Sequence, residues 1–166
     1  MAITDSNLFS IDKSILQKDA FIIIVRTEWN SNIVDKLEEG CKEILDQYEM
    51  TNYKLINVPG AFEIPFIIKS YWESCQHKFE KPQAFIALGC ILRGDTPHFD
   101  YVCKAVTDGI VQLNLQLPVP TIFGVLTVDD NQQAEERIGG EHGHKGEEAA
   151  ITALKMIYLQ HSFYGS

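Results

Sequence analysis

The side chains best placed to do chemistry in this chain are an imidazole, a guanidinium and an ammonium, with an aromatic ring and a carboxylate to accompany them. His98 comes directly after the turn Arg93-Gly94-Asp95-Thr96-Pro97, where an apolar run through Phe85, Ile86, Ala87 and Leu88 gives way to a helical pattern. An imidazole there can carry protons near neutral pH, and a Gly-Asp-Thr turn opening a helix offers N–H groups to a phosphate. Asp95 and Asp100 bracket His98 and either orient it or simply favour the helix N-terminus. Arg137 and Lys145 flank the glycine-interrupted segment IGGEHGHKG. They are either solvated helix ends or a local positive pocket for an anion. Trp29 follows another apolar run and serves either packing or stacking on a flat heterocycle. Gly60-Ala61-Phe62-Glu63 stands at a helix start, where free N–H groups and the Glu63 carboxylate can bond hydroxyls; the alternative is a capped helix after a Pro-Gly turn.

Other chemistries find no support. There is no GxxxxGK[ST] and no GxGxxG after the first apolar run, which disfavours nucleoside triphosphates and dinucleotides. No Gly-x-Ser-x-Gly elbow or Cys-His nucleophile pair stands out. His142 and His144 form a His-x-His pair, but zinc requires further ligands in settled geometry, so no metal site is expected. What remains is proton transfer beside a phosphate and a flat ring, suited to condensation or elimination on a small phosphorylated substrate.

The elements that must position these groups follow from periodicity. Ala20–Val25 is a continuous β-branched run, the mark of a strand buried on both faces. Asn30 or Ser31 can cap the next helix, on which Ile33, Leu37, Cys41, Ile44, Leu45 and Tyr48 recur. Tyr53–Val58 is a second strand, followed by a helix with Pro65 in its first turn and Phe66, Ile67, Ser70, Tyr71 and Ser74 at helical spacing. Gln83–Leu88 is the third strand; Val102, Val106, Ile110, Leu113 and Leu117 mark the helix after His98. Thr121–Val128 is the fourth. Asp129-Asp130 can cap a short helix through Arg137, ended by Gly139-Gly140, and a last helix from about Lys145 buries Ala149, Ala150, Ala153, Leu154, Ile157 and Tyr158. Alternating strands and helices imply a parallel sheet covered on both faces.

Composition bounds the setting. With 166 residues, the chain reads as a polar leader over residues 1–18 and one domain over 19–166, long enough to bury roughly two-thirds of its unfolded surface. A net charge of −9 argues against a nucleic-acid or acidic-membrane partner, so an anionic ligand needs a local basic pocket. Four cysteines without a CxxC pair suggest reduced thiols. Neither a signal peptide nor a membrane-spanning run is visible, which predicts a soluble, cytoplasmic protein.

From Phe21 to about Leu159 the chain resembles the lumazine synthases of riboflavin biosynthesis, through TEWNSNIV, VPGAFEIP, ALGCILRGDTPHFDYVC and FGVLTVDD, followed by ER and HKGEEAA, in family order. The resemblance implies an α/β fold, a flavodoxin-like three-layer α/β/α sandwich with a four-stranded parallel sheet of order 2-1-3-4. It implies condensation of 5-amino-6-(D-ribitylamino)uracil with 3,4-dihydroxy-2-butanone 4-phosphate, without cofactor or metal. It also implies a homo-oligomer built as a pentamer, with active sites between adjacent subunits. Carried over by motif, Trp29 stacks on the pyrimidine, Ala61, Phe62 and Glu63 lie along the ribityl chain, and Cys90 and Ile91 present backbone to the pyrimidine edge. Gly94, Asp95 and Thr96 help bind the phosphate, and His98 is the acid/base. Phe123, Arg137 and Lys145 come from the neighbouring subunit, Arg137 to pair with the phosphate.

Two positions depart from the family pattern. Trp29 stands where Phe is usual, and Glu141 replaces a usual Lys in a segment that lies between pentamers in the icosahedral members. The second change favours a pentamer or a pair of pentamers over a sixty-subunit shell. A non-catalytic lumazine or flavin binder and a shell protein are the competing readings; retention of both His98 and Arg137 favours catalysis, since storage needs no proton transfer.

Overall fold

The computed structural model describes residues 11–12 and 16–164. Four strands, β1 (Ile22–Thr27), β2 (Tyr53–Val58), β3 (Ala84–Leu92) and β4 (Thr121–Val128), form an all-parallel sheet in the order β2-β1-β3-β4. The helices are α1 (Ser31–Gln47), α2 (Ile64–Cys75), α3 (His98–Gln116), α4 (Asn131–Glu135) and α5 (Lys145–Tyr164). One apolar cluster joins the sheet to α1 and α5, and a second joins it to α2 and α3. The three-layer α/β/α sandwich of order 2-1-3-4 is therefore the architecture of the chain.

The two inner strands carry the core. Ile22, Ile23, Ile24 and Val25 of β1 and Phe85, Ile86, Ala87 and Leu88 of β3 are essentially inaccessible, which is why neither run alternates with polar residues. Burying each large aliphatic or aromatic side chain of this kind contributes about 1.5–3 kcal/mol. Both strands extend beyond their apolar runs. Arg26 and Thr27 stay in β1 because they pair with Asn57 and Val58, and the Arg26 guanidinium finds carboxylates on α1, donating to Glu38 and, at 2.5 Å, to Asp35. Burial pushes the Glu38 carboxyl up, but hydrogen bonds from Lys42 and Arg26 outweigh it and hold it below its ordinary value. β3 likewise runs through Gly89 to Leu92, held by pairing with Val125 to Val128.

Three further expectations change. The helical spacing through Phe66, Ser70 and Ser74 is not the buried face of α2; Ile64, Ile68 and Cys75 are buried instead, with Ile67 and Tyr71 packed against the core. Phe66 is 71 % exposed. Tyr158 of α5, expected to be buried, is 38 % exposed. Gly139 and Gly140 do not merely end a helix: Ile138–Gly140 (β5) pairs antiparallel with Gly143–His144 (β6), and Gly139 and Gly143 take the positive φ this tight hairpin needs. The leader reading falls largely on residues 1–10 and 13–15, which lie outside the described residues; Ile11 and Leu16 pack against the α1/α5 cluster. The four cysteines are free thiols.

The hairpin and the start of α5 are set against α1 by close approach. A Cβ at Gly146 would sit 2.0 Å from the Leu37 carbonyl oxygen, and one at Gly40 would overlap the His144 ring at 2.3 Å. The first obstacle is backbone and cannot swing away. Gly146→Ala is therefore expected to cost about 1–3 kcal/mol or more, read as a lowered urea midpoint. Gly94→Ala, with nothing within 4 Å of the new Cβ, should stay within about 0.5 kcal/mol of the parent; equal midpoints for the two variants would refute the close approach.

Candidate active site

The carboxyl ends of β1, β2 and β3 open onto a cleft of about 530 Å³. Three loops build it. After β1, Glu28 N–H donates to Val58 C=O at 2.8 Å and Trp29 N–H to Pro59 C=O at 3.2 Å, so the first loop is tied to the second. Trp29 leans out with 71 % of its surface exposed. After β2, Pro59-Gly60 turns into a single 3-10 turn, Ala61–Glu63, which passes into α2 with Pro65 in its first turn. That places Ala61, Phe62 and Glu63 along one wall. After β3, Arg93 N–H donates to Val128 C=O at 3.0 Å, and the Gly94-Asp95-Thr96-Pro97 turn then starts α3 at His98.

Nine of the residues singled out in the sequence meet here: Trp29, Ala61, Phe62, Glu63, Cys90, Ile91, Gly94, Thr96 and His98 all line the cleft. Asp95 lies in the same turn but off the lining. Burial pushes the Cys90 thiol up to about 11, so at neutral pH it is an uncharged wall rather than a nucleophile. His98 is exposed and, among the described residues, its imidazole is not engaged in a hydrogen bond. It is free to meet a ligand.

Phe123, Arg137 and Lys145 lie elsewhere, around a second depression of about 640 Å³ on the edge strand β4. Phe123 is 43 % exposed there. The hairpin brings the two cations together: Ile138 faces His144, and Lys145 N–H donates to Arg137 C=O at 2.8 Å. Arg137 Nη1 donates to the Gln133 carbonyl at 2.7 Å, and Lys145 Nζ is held by both Glu148 carboxylate oxygens at 2.8 and 2.6 Å. The contrast between the two surfaces is chemical. The first lining holds an imidazole, three aromatics, a carboxylate and a turn rich in N–H groups but no Lys or Arg; the second holds the cations and a further aromatic, Phe123.

Sequence reasoning missed several contributors. Asn30 occupies the position before α1, but its side chain does not cap the helix. It takes a left-handed φ of 57°, which Asn tolerates better than most residues, and its amide crosses the cleft floor to donate to Cys90 C=O at 2.8 Å. The Cys90 carbonyl thus has one lone pair already occupied. No local signal separates this use of Asn30 from a cap. Glu148 was legible in principle as the i+3 partner of Lys145, and Phe99 enters the lining behind His98.

The profile of the 6,7-dimethyl-8-ribityllumazine synthase family matches residues 19–161. Relatives named 6,7-dimethyl-8-ribityllumazine synthase include that of Porphyromonas gingivalis, 49 % identical over 145 residues (86 % of this chain, 87 % of the relative). The one from Parabacteroides distasonis is 48 % identical over 136 residues (81 % and 82 %), and that of Cytophaga hutchinsonii 44 % identical over 161 residues (95 % and 98 %).

Asn30→Gly keeps the left-handed backbone available and removes only the bond to Cys90. It is expected to lower stability by about 0.5–1.5 kcal/mol, whereas Asn30→Val adds a β-branched residue at positive φ and should cost about 1–3 kcal/mol more. Urea titrations of both variants check this; an Asn30→Gly variant as stable as the parent would show that the amide bridge contributes nothing.

Proposed function

The chain belongs to the 6,7-dimethyl-8-ribityllumazine synthase family, and we propose that it works as follows. It is a transferase that condenses 5-amino-6-(D-ribitylamino)uracil with 3,4-dihydroxy-2-butanone 4-phosphate, giving 6,7-dimethyl-8-ribityllumazine, phosphate and water. The observation that supports our assignment of roles is the split between the two surfaces: a cleft with His98 and Trp29 but no cation, and an edge-strand surface with Arg137, Lys145 and Phe123. A phosphorylated substrate needs both. Two copies of the chain, the edge of one closing the cleft of the next, would supply both at each site.

In that arrangement Trp29 and the neighbour's Phe123 sandwich the pyrimidine, Glu63 accepts from the ribityl hydroxyls, and Ala61 and Phe62 shape the wall beside them. Cys90 and Ile91 offer backbone to the pyrimidine edge. The N–H groups of Gly94, Asp95 and Thr96, with the neighbour's Arg137, hold the phosphate; the neighbour's Lys145 approaches the ring or phosphate. The substrate's 5-amino group attacks the ketone and loses water to form an imine. Phosphate then leaves by elimination, the enol tautomerises, and the ribitylamino nitrogen closes the second ring with loss of another water. His98 moves the protons between these steps, Arg137 steadies the departing dianion, and much of the remaining acceleration comes from holding two substrates in register.

Family membership and the exposed apolar residues Trp29, Phe62, Phe66 and Phe123 support a homo-oligomer, a pentamer or a pair of pentamers, and the family's role in biosynthesis supports a cytoplasmic location. Light scattering should find five or ten chains; a megadalton particle would overturn this. Among the described residues no helix is long and apolar enough to cross a membrane.

Purified protein mixed with the two substrates should form the fluorescent lumazine faster than the uncatalysed background. His98→Ala should lower kcat by about a hundredfold with ligand binding kept, and Arg137→Ala should raise KM for the phosphorylated substrate. The two variants then test the shared site. Co-assembled in equal amounts, they should regain activity at about a quarter of interfaces, those pairing an intact His98 with a neighbour's intact Arg137. No recovery would place both residues in one chain's site, and background turnover with tight lumazine binding would make this a ligand-binding relative.

A further inference from the structure

Arg93 has no part in the chemistry above and does not line the cleft, yet its guanidinium meets a ring and two carboxylates beside the first turn of α3. It follows the last residue of β3, and its guanidinium lies over the Phe99 ring, 4.0 Å from the centroid. Nε donates to Asp129 Oδ1 at 2.6 Å, and an Nη2–Asp100 Oδ1 approach of 3.3 Å completes the cluster. Phe99 and Asp100 are the two residues after His98 in the first turn of α3. Asp129 belongs to the corner where β4 ends, a corner fixed in turn by Gln133, whose side chain accepts from Asp129 N–H at 3.0 Å and whose backbone N–H donates to Asp130 at 2.8 Å.

We propose that Arg93 is a positioning residue for His98, clamping the first turn of α3 to the end of β4 by stacking on Phe99 while bonding Asp100 and Asp129. The inference rests on the reading of His98 as the acid/base. Its physical basis is the local lack of alternatives. His98 sits at the N-terminal end of its helix, Pro97 before it offers no side-chain cap, and the turn leading in is exposed along its whole length. Phe99 and Val102 pack against the core on one side, but among the described residues the Arg93 cluster is the only side-chain polar contact that holds the exposed part of that turn. A displacement of the acid/base by about 1 Å is enough to cost up to about a hundredfold in rate.

The obvious rival is that Arg93 itself binds the substrate phosphate, since Gly94 and Thr96 are adjacent. Charge speaks against it: two carboxylates already face one guanidinium, so an incoming dianion would meet a locally negative cluster. Stacking matters for the same reason. A lysine would keep the charge but could neither lie flat on Phe99 nor reach two carboxylates from a planar fork. The clamp is also exposed to solvent, so its ion pairs add little to global stability, and its loss should be read at the site rather than in unfolding.

The test is a double-mutant cycle on the assembled enzyme. Arg93→Ala should lower kcat by about ten- to a hundredfold with KM for 3,4-dihydroxy-2-butanone 4-phosphate within about twofold, and Arg93→Lys should not restore it. In a His98→Ala background the same substitution should have almost no further effect, because a positioning residue acts only through the group it positions. Asp129→Asn, which leaves Arg93 in place but weakens its anchor, should repeat the pattern in milder form and serves if Arg93→Ala does not assemble. A full-sized effect of Arg93→Ala on top of His98→Ala overturns the inference, as does a raised KM that Arg93→Lys rescues, which would make Arg93 the phosphate ligand. If His98→Ala alone turns over like wild type, the acid/base reading has failed instead.

Discussion

The pairing of β1 with β3 is the constraint on which everything else in this molecule depends. These two strands lie side by side although α1, β2 and α2 separate them in the chain, so the connection from β1 leaves in one direction and the sheet continues from β3 in the other. Loops after two such strands part company and leave a crevice, the usual ligand position in an open parallel sheet. The cleft lies there, and the Asn30 amide, bonded to Cys90, ties the loop after β1 to the carboxyl end of β3. Because both strands are buried on both faces, a register shift would expose the core, and the cleft is held as firmly as the core is.

The same topology explains why Phe123, Arg137 and Lys145 lie elsewhere. β4 is an edge strand, and Phe123 on it is left half-exposed by the described residues. The hairpin after α4 carries Arg137 and Lys145 to that edge and fixes their spacing through one backbone hydrogen bond. An acidic chain thus keeps its two useful cations together, away from the imidazole they would serve. Close approach of Gly40 to His144 and of Gly146 to Leu37 holds the hairpin against α1, so the edge is as rigidly placed as the cleft.

The clamp around Arg93 shows how surface ion pairs can matter without contributing much to folding. Its hydrogen bond to Asp129 is the main reason that carboxyl sits below its usual value, and solvent screens the interaction. What it can still do is choose one orientation of a helix start among several of nearly equal energy. Orientation, rather than stability, is the quantity a catalytic imidazole needs.

The fold, and the residues that meet in the candidate cleft, were legible in the sequence. Continuous β-branched runs at Ile22 and Phe85 announce central strands, and the helical spacing of Val106, Ile110 and Leu113 places α3. A His directly after Gly-Asp-Thr-Pro marks a strand's carboxyl end, and the ordered motifs specify the family. These are local properties: burial of apolar runs, proline and glycine at turns, and caps act over a few residues, so their consequences are written in neighbouring letters. The tertiary structure alone decided the rest. The inward face of α2 was misread because both of its sides are apolar and only the packing of Ile64 and Ile68 chooses between them. The β5–β6 hairpin was invisible because its glycines serve positive φ as readily as a helix end. Asn30 looked like a cap, and the separation of Arg137 from His98 was expected only through the family resemblance, for it has no local cause. Each of those depends on which distant surface lies opposite a residue, and a sequence read in order does not contain that distance.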